Sequence, residues 1–575
     1  MKNDGTKKID FSRKRIASLA DKYYNEGDYF SALRFAYREL NEYGGDGDVF
    51  IRLADIYEGM GLHTSAINWL FRFLDIADPE DLPDIYEGLA VNFLHLGNET
   101  QSAYYYNQLI DADEDLSEET KFDIAEAFAK DKRDAFRFVY PPEIADFKKE
   151  IQTGAKALKN GDFEKAVSVL SEVEKGSKDY PSAMEMMAVA HLLSGDMEKA
   201  EAICKEVLQD RPDDIRLQAT LAAAYLEQGK KEESREIALR LAKLDDIAPD
   251  DLYKVATVCC ENDLHAEAYE KFDQLLRKAP YDGRTLYFKA VAAYNSGKLE
   301  EAERSLYELC NIYPDAEVAK YYLNELQVYQ NGERELAPEM TYFYRLPQEE
   351  KELRCRAILQ VSECSKDEAP LFGLLLLRDG YLRWCFDEMD GMEQELQYVA
   401  IMAAESVQAD DFLREVFLDS EISDVLKVEA LRALFERNKQ DEFGIVLCNV
   451  YRNVALRPIR IGRKRRRKCI EAYAKAASKF AILRDDCGRK LQMAAEKLYR
   501  RLEQYDCLDL IDDTDDLSCA IFLLSGIKEM GENMPFIVQA FGANEARVQV
   551  LMSAYLSAEH GVEKGNGRED KEEKV

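Results

Sequence analysis

Between about residues 148 and 315 the sequence repeats itself with a period of 34 residues. In each copy small side chains recur at two positions twelve residues apart, and a glycine, or once Asp263, lies between them. The recurring small residues are Gly154, Ala188, Ala222, Ala256, Ala290, Ala166, Ala200, Ser234, Ala268 and Ala302. Antiparallel helices pack closely where facing side chains are small, and glycine permits the tight turn between them. The period therefore predicts stacked helix pairs, an all-α solenoid.

Two stretches show the pattern most completely, "AVAHLLSGDMEKAEAICKEVLQDRP" (188–212) and "AVAAYNSGKLEEAERSLYELCNIYP" (290–314). The N-terminus carries three further copies, marked by Ala20, Tyr23, Gly27 and Ala32, by Ala54, Tyr57, Gly61 and Ala66, and by Ala90, Phe93, Gly97 and Ser102. This combination of small, aromatic and large residues resembles the tetratricopeptide repeat. The resemblance implies an α-solenoid that acts as a binding scaffold and not as an enzyme, with peptides bound in a concave groove lined by the first helix of each pair.

The period and the composition divide the chain into six parts. They are a first array of about three repeats (1–116), a degenerate helical connector (117–147), a second array of about five repeats plus a capping helix (148–329), a helical region (340–455), a basic helical C-terminal region (456–558) and a disordered tail (559–575). The 34-residue period stops after the second array. The region 340–455 is predicted to be HEAT-like, and a plain helical bundle is the alternative.

The resemblance also implies which residues of the second array face the groove. These are Glu185, Val189, Leu192, Ala219, Ala223, Leu226, Tyr253, Thr257, Tyr287, Val291 and Tyr294. We hypothesise that the three tyrosines contact apolar side chains of a partner, because large amphipathic rings often anchor interfaces. The alternative is that some of these residues pack between helices and never meet a ligand.

The groove of the first array is predicted to be acidic. Its groove positions include Asp21, Asp55, Glu58 and Glu87, and the whole chain has a formal net charge of −34. An acidic superhelix favours basic partners through long-range electrostatic attraction, most strongly at low salt.

One short stretch, "RPIRIGRKRRRK" (457–468), concentrates positive charge in this acidic chain. Its basic residues are Arg457, Arg460, Arg463, Lys464, Arg465, Arg466, Arg467 and Lys468. A solvated face, a nuclear-import signal, a nucleic-acid contact and a contact with an acidic surface are all open interpretations. The aspartate-rich stretch "DCLDLIDDTDD" (506–516) supplies such a surface. We therefore hypothesise that the basic run docks on acidic surface, either within one chain or between copies that self-associate.

No motif for catalysis or for cofactor binding stands out. The sequence has no GxxxxGK[ST] phosphate loop, no HExxH and no GxSxG, and its five histidines are scattered. None of the twelve cysteines forms a CxxC pair, and neither a secretory signal nor a membrane-spanning apolar run is visible. These features predict a cytoplasmic protein with no enzymatic activity, no cofactor, no metal site and no membrane contact.

The function predicted from these features is that of an interaction scaffold that binds a protein or peptide in its repeat groove. The alternative is a nucleic-acid-associated or transcription-regulatory protein that uses the basic helices in 451–501. A weak helix-turn-helix pattern in 534–556 supports that alternative, although an ordinary helical corner explains the same spacing.

Overall fold

A computed structural model describes most of the chain. The described residues are 12–112, 116, 121, 147–245, 247–363, 373, 376–377, 380–387, 389–390, 394–428, 430–431, 443–454, 460–479, 487–527 and 534–565. Almost all regular structure in these ranges is α-helical, which confirms the predicted all-α fold. The chain forms two compact units: the first contains Met1–Lys130, Gln348–Phe386 and Met392–Val575, and the second contains Asp131–Pro347 and Asp387–Gly391.

The first unit begins with three helix pairs. Their helices are α1 (Arg13–Asn25), α2 (Tyr29–Tyr43), α3 (Gly47–Gly59), α4 (His63–Leu74), α5 (Leu82–His95) and α6 (Glu99–Ala112). Gly27, Gly61 and Gly97 turn the chain within each pair at φ of 75°, 76° and 73°, where glycine is unstrained. The predicted connector 117–147 lies almost entirely outside the described residues.

The second unit contains the second array. Its helices are α7 (Lys148–Lys159), α8 (Phe163–Leu170), α9 (Tyr180–Leu193), α10 (Met197–Asp210), α11 (Ile215–Glu227), α12 (Lys231–Ala242), α13 (Pro249–Glu261), α14 (His265–Leu276), α15 (Gly283–Asn295), α16 (Leu299–Ile312) and α17 (Glu317–Gln330). The alanines that mark the period, Ala188, Ala222, Ala256 and Ala290, are fully buried. Helices α9, α11, α13, α15 and α17 are the first helices of successive pairs, with α17 in the position of the predicted capping helix.

The remainder of the first unit is mostly helical. It contains α18 (Gln348–Glu363), α19 (Tyr381–Trp384), α20 (Gln394–Ser406), α21 (Asp410–Leu418), β1 (Phe443–Leu447), β2 (Val450–Val454), α22 (Arg466–Lys479), α23 (Cys487–Gln504), α24 (Thr514–Ser525), α25 (Met534–Phe541) and α26 (Glu545–Gly565). Helix α26 continues through residues 559–565, so the prediction of a disordered tail is wrong for that part. The rest of the tail, residues 566–575, lies outside the described residues.

A β-hairpin corrects the prediction that region 340–455 is helical throughout. Strands β1 and β2 pair antiparallel, with Leu447 opposite Val450. Cys448 and Asn449 form the two-residue turn, at φ of 50° and 61°. Positive φ at both turn residues is typical of the type I′ turn, whose twist matches that of the paired strands.

The hairpin packs against the first array within the first unit. The Tyr105 hydroxyl, on the second helix of the third pair, donates to the Asn449 carbonyl at 3.2 Å and accepts from the Tyr451 backbone N–H at 3.1 Å. The Tyr451 hydroxyl donates to Asp75 at 2.8 Å. These bonds join the N-terminal and C-terminal segments of the chain into one unit.

Candidate functional site

A stretch of the chain without regular secondary structure, residues 337–346, lies against the first helices α15 and α17 of the second unit. We call it the groove segment. Its side chains alternate in burial: Pro338, Met340, Tyr344 and Leu346 are buried, whereas Ala337, Glu339, Phe343 and Arg345 are exposed. Alternation with a period of two is the pattern of an extended chain that turns one side toward a surface.

Tyrosine hydroxyls of the array bind the main chain of the groove segment. The Tyr294 hydroxyl donates to the Pro338 carbonyl at 2.6 Å, and the Tyr322 hydroxyl to the Arg345 carbonyl at 3.1 Å. Between them, the Tyr287 hydroxyl lies 3.2 Å from the Thr341 carbonyl and 3.3 Å from that of Phe343. Tyr294 is near the end of α15 and Tyr287 near its start, so the segment runs antiparallel to this helix. The surface therefore recognises peptide backbone.

Two tyrosines of the groove segment bind polar groups of the second unit. The Tyr342 hydroxyl lies 2.9 Å from Nδ1 of His265, at the start of α14. The Tyr344 ring packs edge-on against Tyr287 at a centroid distance of 4.9 Å, and its hydroxyl donates to Asp387 at 2.9 Å. Burial is the main cause that raises the pKa of Asp387 to about 7. The groove segment is thus anchored by side chains as well as by its backbone.

Four of the predicted groove residues are buried, which corrects their assignment as partner contacts in this conformation. Tyr287 and Val291 are fully buried, because the groove segment covers α15. Ala219 is 5% exposed and Glu185 is 7% exposed, and the Glu185 carboxylate pairs with the Lys254 ammonium. For these positions the alternative interpretation, packing within the protein, describes the structure better.

The remaining predicted positions are accessible. Val189, Leu192, Ala223, Leu226, Thr257 and Tyr294 are half-buried, and the side chain of Tyr253 is exposed. Apart from Tyr294, which binds the groove segment, these residues lie on α9, α11 and α13. We call the concave face of these three helices the open half of the groove. It offers an apolar surface with one exposed aromatic ring.

Ion pairs link the three helices of the open half. Arg216 on α11 lies 2.8 Å from Asp251 and 3.5 Å from Asp250, at the start of α13. Lys254 on α13 pairs with Glu185 on α9. The basic side chains Arg216 and Lys254 are therefore compensated within the array and do not give the open half a net positive charge.

The predicted acidic residues of the first array do not form one uniform acidic strip. Asp21 pairs with Arg52 at 2.7 Å, and Glu58 accepts from the Asn92 side-chain amide at 2.6 Å. Asp21, Asp55 and Arg52 share an open pocket of about 160 Å³, and Glu87 is exposed on α5. Although Asp55 is accessible, partial burial, aided by the neighbouring Glu58 charge, raises its pKa to about 6.

The basic run is paired with acidic side chains of the same unit. Lys464 lies 3.7 Å from Asp509 and 4.0 Å from Asp506, Arg465 lies 3.7 Å from Asp509, and Lys468 lies 3.3 Å from Asp512. The other basic residues have varied positions: Arg467 lies 3.8 Å from Glu395, Arg466 donates to the Ile461 carbonyl, Arg460 and Arg463 are exposed, and Arg457 lies outside the described residues. Exposed pairs of this kind contribute at most about 1 kcal/mol each.

The segment 534–556 forms two helices, α25 and α26, that meet at Gly542, where φ is 68°. Ile537, Phe541, Val548 and Leu551 are buried in the core of this region. Arg547, the basic residue of the second helix, lies 3.8 Å from Asp516. The apolar spacing is thus used for packing, which fits an ordinary helical corner.

Within the described ranges, no group of His, Cys, Asp or Glu side chains has an arrangement that could hold a metal ion. Among the same residues, no helix is both long enough and apolar enough to cross a membrane. Several cysteines are buried free thiols, and burial raises the pKa of Cys204 and Cys259 to about 12. Protonated thiols of this kind are poor nucleophiles.

Comparison with protein families identifies the repeats. Two models of the tetratricopeptide repeat match the chain, one over residues 157–219 and 193–251 and the other over residues 261–317. The matched residues coincide with the helix pairs of the second array. Residues 157–251 and 261–317 of this chain therefore form tetratricopeptide repeats. No curated protein sequence matches it significantly.

Solved structures give weaker similarities. The complex of the yeast Sti1 TPR2AB domain with pHSP90 is 17% identical, covering 47% of this chain and 98% of that chain with a TM-score of 0.18. Yeast Tom70 is 12% identical, covering 97% of both chains with a TM-score of 0.20. The human IFIT1 dimer with PPP-AAAA is 11% identical, covering 75% of this chain and 94% of that chain with a TM-score of 0.26. The family assignment rests on the repeat models and on the helix pairs.

The repeat pattern does not mark the groove segment, Tyr322 or Asp387 as part of the site. The alternation in "APEMTYFYRL" was available as a signal for an extended segment. The surface that receives this segment is set by contacts between distant residues, so the sequence pattern alone could not locate it.

Proposed function

We propose that this chain is a protein-interaction scaffold and that the open half of its second-array groove binds an extended peptide of a partner protein. The observation that carries this proposal is the groove segment, an extended peptide already seated on the neighbouring first helices. The open half continues that surface on α9, α11 and α13. It has the half-buried apolar side chains that a peptide would cover, Val189, Leu192, Ala223 and Leu226.

The proposal includes a non-enzymatic role and a cytoplasmic location. Buried free thiols in the second array, such as Cys204 and Cys259, suit a reducing compartment. A nucleic-acid-associated role finds less support, because Lys464, Arg465 and Lys468 are already paired with aspartates. Ion pairing in the same chain weakens the attraction of these residues for phosphate.

The proposal is tested by selecting peptides from a random library displayed on phage, with the full-length protein as bait. A consensus sequence should be enriched, and Ala223→Trp should weaken binding of the selected peptide more than about tenfold, because a large ring fills the groove. Leu239→Trp, on the second helix α12, is the matched control and should bind normally. Failure to enrich a consensus, or equal binding by Ala223→Trp, contradicts the proposal.

A further inference from the structure

The groove segment shows which side chains of the array bind a peptide backbone. Because the sequence repeats, the equivalent positions of the open half can be compared with them. Tyr287, whose hydroxyl is 3.2 Å and 3.3 Å from carbonyls of the segment, recurs one period earlier as Tyr253. Tyr287 is fully buried beneath the segment, whereas Tyr253 is 40% exposed. Within the described residues, the Tyr253 hydroxyl has no hydrogen-bond partner. Tyr253 therefore presents a carbonyl-binding hydroxyl that is not in use.

A second repeating position differs between the occupied and the open half. The side-chain amide of Asn295, at the end of α15, lies close to the Tyr342 hydroxyl of the groove segment and stabilises its ionised form. The same position holds Glu261 one period earlier and Glu227 two periods earlier. Both side chains are exposed at the surface, and partial desolvation, aided by the charge of Glu227, raises the pKa of Glu261, so the two carboxylates lie close enough to repel each other. Neither forms an ion pair within the described residues.

The change from Asn295 to Glu261 and Glu227 alters which ligand group this repeat position favours. A neutral amide suits a hydroxyl such as that of Tyr342, whereas two carboxylates without a counterion suit a cationic side chain. Lys254 pairs with Glu185 and Arg216 with Asp251, so these two basic side chains of the open half do not neutralise Glu227 and Glu261. Arg284, whose charge acts on Tyr253, lies at the start of α15, whereas Glu227 and Glu261 lie at the ends of α11 and α13. The charge of the open half thus favours a ligand with Lys or Arg.

We propose that the open half binds an extended basic segment of a partner protein. A backbone carbonyl of this segment accepts a hydrogen bond from the Tyr253 hydroxyl, and a Lys or Arg side chain reaches Glu227 and Glu261. Apolar side chains of the ligand cover Leu192 and Leu226. This inference rests on the proposed function, since it names the chemistry of the peptide that the groove binds.

The test uses one peptide enriched by the phage selection described above, synthesised with a fluorescent label. Its Kd for the full-length protein is measured by fluorescence anisotropy, with circular dichroism to verify that each variant is folded. Tyr253→Phe removes only the hydroxyl and should weaken binding about fivefold, the equivalent of one hydrogen bond. The double variant Glu227→Gln/Glu261→Gln should weaken binding about tenfold or more and reduce its salt dependence.

The matched controls lie on second helices, away from the groove. Tyr307→Phe on α16 and Glu233→Gln/Glu236→Gln on α12 make the same chemical changes and should leave the Kd unchanged. The expected consensus contains Lys or Arg beside apolar residues. A consensus without basic residues, or a Kd that is unaffected by both groove variants, overturns this inference.

The outcomes also separate this inference from the proposed function. If the selected peptide loses affinity for Ala223→Trp but not for the tyrosine or glutamate variants, the groove binds peptides and only the assigned chemistry fails. If no peptide is enriched, both fail. A concentration-dependent dimer in sedimentation that a synthetic peptide of residues 337–346 disperses would assign the open half to a second copy of the chain, and it would overturn the basic-partner inference.

Discussion

At the scale of single residues, Asp387 is a buried carboxyl group that binds the groove segment. Its side chain is 4% exposed, accepts hydrogen bonds from the Tyr344 hydroxyl and the Val318 backbone N–H, and has a pKa raised to about 7. The nearby Asp390 adds to this rise, after burial as the main cause. Asp387 therefore couples the groove segment to solution pH.

The raised pKa predicts the sign of a pH effect on stability. Because the folded protein retains this proton while the unfolded chain loses it near pH 3.8, the free energy of unfolding should fall as pH rises from about 4 to about 7. The slope is at most about 1.4 kcal/mol per pH unit for one proton. Asp387→Asn should remove this contribution, which thermal denaturation across the same pH range measures. Equal pH dependence in both proteins would contradict the assignment.

At the scale of structural elements, Tyr105 of the first array makes two hydrogen bonds to the main chain of the β-hairpin. Tyr105 is 1% exposed, and its hydroxyl binds both the Asn449 carbonyl and the Tyr451 backbone N–H.

Replacing this hydroxyl tests how the hairpin is held. Tyr105→Phe leaves a partly buried N–H without a partner and should cost about 1–3 kcal/mol. Hydrogen exchange should quicken at residues 443–454, while exchange in the second unit stays unchanged. Tyr43→Phe, at an exposed tyrosine of α2, is the control. Unchanged exchange at the hairpin would show that its strands are held by other contacts.

The aspartates that follow α23 set how available the basic run is to other ligands. Asp509 lies 3.7 Å from Lys464 and 3.7 Å from Arg465, and Asp512 lies 3.3 Å from Lys468. These pairs are exposed, so their removal should change stability by less than about 1 kcal/mol.

Removing the charges of Asp509 and Asp512 should instead raise the affinity of the chain for polyanions. Asp509→Asn/Asp512→Asn should elute from a heparin column at higher salt than wild type, because the released basic residues can bind sulfate. Asp210→Asn/Asp213→Asn changes the net charge equally at the end of α10 in the second unit, where neither aspartate forms an ion pair with the basic run within the described residues, and should shift elution less. Equal shifts in the two variants would mean that net charge alone governs binding.

At the scale of the whole molecule, the second unit should need its groove segment for full stability. Met340, Tyr344 and Leu346 are 4%, 8% and 3% exposed. Each buried side chain of this size contributes up to about 1.5–3 kcal/mol. A fragment of residues 131–347 should therefore melt at a higher temperature than one of residues 131–331, as circular dichroism can measure. Identical melting temperatures would show that the segment rests on the array without stabilising it.

The parts of this fold that the sequence predicts are those held by local contacts. Each helix pair packs mainly on its neighbours, so small residues such as Ala188 and Ala222 and turn residues such as Gly195 carry a visible period. The covering of Tyr287 by the groove segment depends on residues 54 and 56 positions away. The contact between Tyr105 and Asn449 spans 344 positions. A pattern within one repeat contains no information about such distant partners.

Other features also differ in how visible they are in the sequence. The composition of the basic run is visible in the sequence, and its ion pairs with Asp506, Asp509 and Asp512 are exposed contacts within the chain, so docking on acidic surface stays a prediction. The hairpin turn at Cys448 and Asn449 lacks the glycine that usually marks a two-residue turn, so the sequence carries no strong signal for these strands.

The central claim is that a partner peptide lies along α9, α11 and α13, beside the groove segment. The most direct measurement is photo-crosslinking of the full-length protein with the selected peptide carrying a photoreactive leucine analogue, followed by mass spectrometry of the crosslinked sites. We predict crosslinks on these first helices, near Leu192, Leu226 and Tyr253. Crosslinks confined to the second helices α10, α12 and α14, or to the first unit, would contradict the claim.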